Sequence, residues 1–342
     1  MSTLQIGLAV AGGLVLAGVV AHGAWASRRS APRQAEPEAP GAAPEARTDP
    51  AMVTDLQSAS DLHLMLPKRE LALDALIDVI APLSLDTPVS GDAALAAYPT
   101  ARRAGSKPFA IEGQNPANLQ WEQPLPGRRY LAFQAGVQLA NRAGALNEIE
   151  YSEFVMKTQA FADHLNATPD FPDMLEEVAR ARELDQFASS HDAQLGFTLR
   201  AQHAAWSPGY VQQNAARLGF VPGVIPGRMV LPASTAGLPP VLGLVYDTQA
   251  ALADDPTQSA IRTVSLSLDV AQVARSEQPF VRMRETALGL AQAMDGVVTD
   301  DNGNVLPQDA MDVIGSELEA LYDTLDARDL SAGSALARRL FS

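Results

Sequence analysis

Apolar residues recur along this chain with two periods, and the period changes mark its parts. The first block, residues 6–25 (IGLAVAGGLVLAGVVAHGAW), has no period at all: it is apolar throughout and carries no formal charge. Residues 30–60 follow with prolines at 32, 37, 40, 44 and 50 and almost no large apolar side chain. That composition predicts a disordered or extended linker. From Asp61 the pattern becomes globular. Strict alternation predicts strands over 62–66, 107–113, 128–140, 193–199, 239–247 and 261–273. Helical spacing predicts helices over 69–81, where Pro82 stops the first, and over 147–167, 171–188, 207–220, 279–296 and 307–327. Pro172 and Pro208 fit first-turn positions, and Gly219 and Gly296 read as helix stops. Residues 86–107 read as loop. The closing segment, SAGSALARRLFS at 331–342, reads as a frayed terminus, although Arg338, Arg339, Leu340 and Phe341 would also suit a short docking segment.

The order of elements recurs. At an offset of 133, Leu62, Leu64 and Leu66 fall on Leu195, Phe197 and Leu199, and Leu131, Phe133, Ala135 and Val137 fall on Val264, Leu266, Leu268 and Val270. With four residues of loop dropped, Phe154, Phe161 and Leu165 fall on Met283, Leu290 and Met294. Two readings stay open for 61–187: a diverged copy of the domain that follows it, or an unrelated α+β domain.

Between the last two helices lies DGVVTDDNGNVLPQDAM, residues 295–311. It is acidic and contains Gly303, so a calcium loop comes to mind. Such a loop needs oxygen ligands at positions 1, 3 and 5 before its glycine. Counting back from Gly303 puts Val298 at position 1, which has no ligand to give. The stretch reads better as a hairpin in which Val297-Val298 runs out, Asn302-Gly303 makes a type I′ turn, and Val305-Leu306 returns.

Charge refines the picture. The 342 residues carry 40 acidic against 25 basic side chains, a net charge of −15. With no basic stripe, the chain lacks what nucleic-acid phosphates require. It has no cysteine, which rules out disulfides and thiolate chemistry. The apolar block, taken as residues 6–26, would span about 30 Å as a helix, the thickness of a bilayer core. Arg28, Arg29 and Arg33 follow it and no basic residue precedes it. This asymmetry predicts a retained single-pass anchor with residues 1–5 outside and everything after it in the cytoplasm. A cleaved signal peptide ending at AWA, residues 24–26, would need a basic leading region that is absent. The pairs Gly7/Ala11 and Gly13/Ala17 have the spacing through which membrane helices self-associate.

Catalytic patterns are missing. The histidines, His22, His63, His164, His191 and His203, form no i, i+4 metal pair. No nucleophile elbow, phosphate loop or dinucleotide fingerprint occurs. The pairs Asp254-Asp255 and Asp300-Asp301 read as solvated turns. No cofactor and no metal is expected, and binding is favoured over catalysis.

Four segments are more telling than any motif: RLGFVPG (217–223), PVLGLVYDTQAALADDP (240–256), VSLSLDV (264–270) and AMDGVVTDDNGNVLPQDAM (293–311). Together with an anchor and a Pro/Ala/Glu-rich linker (27–60), they resemble, in order, the bacterial cell-division ZipA family. The resemblance covers about 1–35 in architecture and 192–329 in sequence. It implies an α+β chain: one transmembrane helix, a disordered linker, and a C-terminal antiparallel sheet at 190–329 backed by helices on one face. Residues 330–342 are left as a tail. It further implies a non-catalytic inner-membrane protein of the division site. The other sheet face would bind the C-terminal tail of FtsZ, the tubulin-like division-ring protein. Carried onto this sequence, with Val264, Leu266 and Leu268 toward the helices, the binding face takes Thr263, Ser265 and Ser267, then Gln194, Gly196 and Thr198, then Ile225 and Gly227, then Val245, Asp247 and Gln249. A solvated sheet face on a membrane-anchored scaffold for another protein is the alternative reading of the same residues.

Overall fold

The computed structural model describes residues 32–35, 73–253 and 259–342. The expected anchor at 6–26, the strand at 62–66 and the pair Asp254-Asp255 lie outside them. The described residues fall into two compact units, one within Asp49–Ala193 and Leu321–Ser342, the other within Met1–Thr48 and Gln194–Ala320.

The first unit begins with β1 (Asp78–Ser90) and α1 (Gly91–Ala97), followed by β2 (Arg103–Ala104), β3 (Lys107–Gln114), β4 (Trp121–Glu122) and β5 (Arg129–Gln138). A small hairpin, β6 (Ala140–Asn141) and β7 (Gly144–Ala145), leads to α2 (Glu148–Leu165), β8 (Ala167–Pro169) and α3 (Met174–His191). The sheet order is β2-β3-β5-β1-β8, with β4 beside β3. Helix α2 forms where the sequence places it. Asn147 accepts from the backbone of Ile149 and Glu150, and Glu150 reaches back to close a capping box. Phe154 and Phe161 then meet Phe109 and Phe133 of the sheet edge to face.

β1 corrects two expectations. Residues 78–81 were expected at the end of a helix and 86–90 in a loop, yet both lie in one strand. Ile77, Val79, Ala81 and Leu83 are fully buried at every second position. β-branched residues favour that pleated surface, and Pro82 would break a helix at this point. Pro172 also lies outside the first turn expected for it, two places before Met174, because Asp173 is the N-cap of α3.

The second unit runs β9 (Gln194–Ala201), α4 (Pro208–Arg217), β10 (Val221–Pro222), β11 (Arg228–Leu231), β12 (Leu242–Val245), α5 (Thr248–Ala251), β13 (Thr263–Asp269), α6 (Pro279–Met294), β14 (Gly296–Thr299) and α7 (Gln308–Asp326) as far as Ala320. Its sheet order is β10-β11-β12-β13-β9-β14, antiparallel throughout. Phe197, Leu199, Val264, Leu266 and Leu268 are buried on the helix-bearing face, where Phe197 meets Phe280 of α6. α4 opens at Ser207-Pro208 and ends before Gly219, whose φ is +89°.

α6 ends differently from its expectation. Asp295, not Gly296, takes the left-handed position (φ 57°). Gly296 instead permits a close approach: a Cβ there would lie 3.2 Å from both the Arg200 carbonyl and the Trp206 ring. Asp295 is held by Arg33, whose Nη2 donates at 2.7 Å. Arg33 also exchanges backbone hydrogen bonds with Ala205 and Ser207, and Pro32 is buried. Pro32–Ala35, within the stretch expected as a disordered or extended linker, is therefore seated on the second unit.

The closing residues do not fray. Leu330 leads to α8 (Ala335–Leu340), capped by Ser334, and Ala337, Leu340 and Phe341 are buried in the first unit.

The two units share a strand order. β3-β5-β1-β8 matches β12-β13-β9-β14, and β1, α1, β3, β5, α2, β8 and α3 follow one another in the same order as β9, α4, β12, β13, α6, β14 and α7. α2 and α6 end in left-handed Asn166 and Asp295, an offset of 295 − 166 = 129. Leu85 pairs with Ala167 as Ala201 pairs with Gly296. Leu83 pairs with Phe133 as Leu199 pairs with Val264. The sheet offset between β5 and β13 is thus 264 − 133 = 131, not 133. At 133, Leu131 (38% exposed) would face Val264 (1%). The equivalent of β9 is β1, not 62–66.

Glu112 of β3 lies on the far face of the first sheet, accepting from the Leu73 backbone and from Gln134. Burial raises its carboxyl above the ordinary 4.5, partly offset by those hydrogen bonds. A carboxyl raised in the folded state favours folding at low pH, and that contribution is lost as pH rises through the folded value. Glu112→Gln is therefore expected to reduce the fall in first-unit stability above pH 4.5. Urea titrations across that range would read the change in slope.

Candidate partner-docking face

The far face of the second sheet is built by alternation. With Phe197, Leu199, Leu244, Val264 and Leu266 inward, the opposite parity must point away from the helices. Pairing register lines these residues up across the strands. Ser267 lies opposite Gly196 on one side and Gly243 on the other, and Gly243 opposite Val230. The next row runs Arg228, Val245, Ser265, Thr198 and Thr299. Thr263 pairs with Arg200, and Asp269 with Gln194. Seven of the expected residues thus share this face: Gln194, Gly196, Thr198, Val245, Thr263, Ser265 and Ser267.

The other four do not. Ile225 and Gly227 belong to the turn before β11. Arg228 donates its N–H to the Ile225 carbonyl, with Pro226 and Gly227 (φ +80°) between them. Pro then Gly with positive φ is a type II turn, so β11 starts one residue after Gly227 and presents Arg228 and Val230. Asp247 and Gln249 lie beyond β12. Asp247 caps α5 by accepting from the Gln249 backbone at 2.8 Å. Val221, paired with Val230, is a further face residue that the expectation missed. The alternation of VPGVIPGRMVL is broken by two Pro-Gly punctuations, which hides it.

The face has two characters. Toward β10 and β11, Val221, Val230 and Val245 make an apolar strip, with Val224 and Ile225 exposed in the adjoining turn. Toward β14 it is polar. A depression of about 290 Å³ there is lined by Thr198, Arg200, Thr263, Ser265, Thr299 and the 300–303 loop. That loop leans over β9: a Cβ on Gly196 would come within 3.1 Å of Asp301 Oδ1.

The loop itself differs from a type I′ turn. Asp300 and Asn304 close the hairpin, Gly303 donates to the Asp300 carbonyl, and of 300–304 only Gly303 has positive φ (+83°). This is the three-residue connection with a left-handed glycine. The Asn304 side chain and backbone both donate to Asp300 and hold its carboxyl below the ordinary range. Among the described residues there is no cluster of acidic or histidine side chains able to hold a metal ion. No helix among them is long and apolar enough to cross a membrane.

The decisive comparison falls on this half of the molecule. Residues 252–317 match the family model of the ZipA C-terminal FtsZ-binding domain. The match bears out the resemblance to the ZipA family. It takes in β13, α6, β14, the hairpin over the face and the start of α7. No curated protein matches the chain.

Proposed function

We propose that this chain is a ZipA-type, non-catalytic tether of the division ring, and that its second unit binds the C-terminal tail of FtsZ on the far face of its sheet. The observation that carries the reading is the match over 252–317, because β13 and the β14 hairpin shape that face. The contact residues are Gln194, Gly196, Thr198, Val245, Thr263, Ser265 and Ser267, together with Val221, Arg228 and Val230. The valine strip takes the apolar side chains of a short peptide, and the polar half takes its hydrogen-bonding groups. Each contact can be weak where many anchored copies meet many filament tails. Residues 6–26 anchor the chain in the inner membrane with residues 1–5 outside, and they supply a surface for self-association. The shared strand order and offsets support a duplication, with the first unit a diverged copy.

The test is anisotropy of a labelled FtsZ C-terminal peptide titrated with the whole chain. Saturable binding is expected. Val245→Glu places a charge in the valine strip without touching the core and is expected to weaken binding at least about tenfold, since a desolvated charge costs more than 1.4 kcal/mol. Absence of binding by the unaltered chain would remove the tether reading.

A further inference from the structure

In the first unit, the row Asp78–Gln138 ends the far face of the sheet. By the register above it corresponds to Gln194–Asp269 of the second unit, with amide and acid exchanged. Both residues are buried, and both are engaged by one residue of the closing segment. Arg339 pairs with Asp78 Oδ1 through Nη2 at 2.5 Å, and its carbonyl accepts from Gln138 Nε2 at 2.9 Å. Three residues on, the Ser342 carbonyl accepts from the Arg142 backbone at 3.2 Å. Arg142 is itself fixed by a two-pronged pair with Asp192 at 2.7 and 2.6 Å. Leu340 and Phe341 are each 1% exposed and sit beside the β6–β7 hairpin and the last turn of α3.

The segment is held as a peptide ligand is held. A short helix offers one arginine to a buried acid, backbone carbonyls to fixed donors, and two adjacent apolar side chains to a cleft. We propose that this cleft at the end of the first sheet is a docking site for short helical peptides carrying Arg-Leu-Phe, occupied in cis by residues 334–341. A cleft of about 270 Å³ remains open beside Leu340 and Phe341. The first unit therefore does not offer this site while its own segment is seated. The inference does not use the division partner, so it stands or falls separately from the tether reading.

The test uses a labelled peptide of residues 331–342 and the whole chain. The unaltered chain is expected to bind it at least about tenfold more weakly than the triple variant Arg339→Ala, Leu340→Ala, Phe341→Ala, whose seat is vacated. Adding Asp78→Asn to the triple variant is expected to reverse most of that gain. Equal affinity of the unaltered chain and a folded triple variant would overturn the proposal. Native-state hydrogen exchange on the unaltered chain decides the matter if the triple variant does not fold. Amides of 335–341 should open at lower free energy than those of β1, β3 and β5. Equal protection would mean that the segment is inseparable core, and the proposal would fail.

Discussion

Trp206→Ala is expected to lower the stability of the second unit by about 3–5 kcal/mol, the range for truncating a large buried aromatic. Trp206 is 0% exposed. Its indole Nε1 donates to the Met294 carbonyl at 2.7 Å, one of the last carbonyls of α6. Its backbone bridges Ile261 on one side and Arg33 on the other. Truncation thus leaves a cavity and removes a donor from a helix end at once. Trp206→Phe separates the two, because it keeps most of the apolar volume and loses only the N–H. Its expected cost is about 1–2 kcal/mol. Urea unfolding followed by circular dichroism would measure both. A loss below 1 kcal/mol for the alanine variant would mean that Trp206 is not the keystone of this end of the sheet.

Asp78→Ala is expected to cost the first unit about 3–5 kcal/mol, because it strands a largely buried arginine without its acid. Asp78 is 0% exposed, and its carboxylate serves both Arg339 Nη2 and the Asp74 backbone. Burial raises its carboxyl, and Arg339 opposes that rise. Replacing both partners, as in Asp78→Ala with Arg339→Met, is expected to recover most of the loss. A double variant as unstable as the single one would show that the pair matters through packing and not through charge.

The core-facing halves of β5, β9 and β13 were legible in the sequence because alternation there is strict and long. The helices at 147–167 and 279–296 were legible because capping and spacing agree. β1 was not legible. Leu71, Leu73, Leu76 and Ile77 fit a helical period, and only the pairing of Val79, Ala81 and Leu83 with β5 settles the choice in favour of the sheet. Tertiary pairing overrode a local pattern, as it commonly does in short segments. The face residues followed the same logic. Parity on β9 and β13 could be counted from their own alternation. The start of β11 and the end of β12 could not, since a type II turn and a capping aspartate each sit where a strand residue was expected. The closing segment was read as fraying because LARRLF has no long period. Its place is fixed by Asp78 and Gln138, far away in the chain.

The seat of Pro32–Ala35 on the second unit sets a leash. In the proposed tether the membrane helix ends at residue 26, and Arg33 is already held by Asp295. Seven residue steps (33 − 26) separate them, a reach of at most about 25 Å even when fully drawn out. The whole stretch 27–60, had none of it been seated, would have allowed about 120 Å (60 − 26 = 34 residues). A domain on the shorter leash works in the layer next to the lipid headgroups. A tether of the proposed kind would then hold a filament against the bilayer instead of fishing for one from a distance.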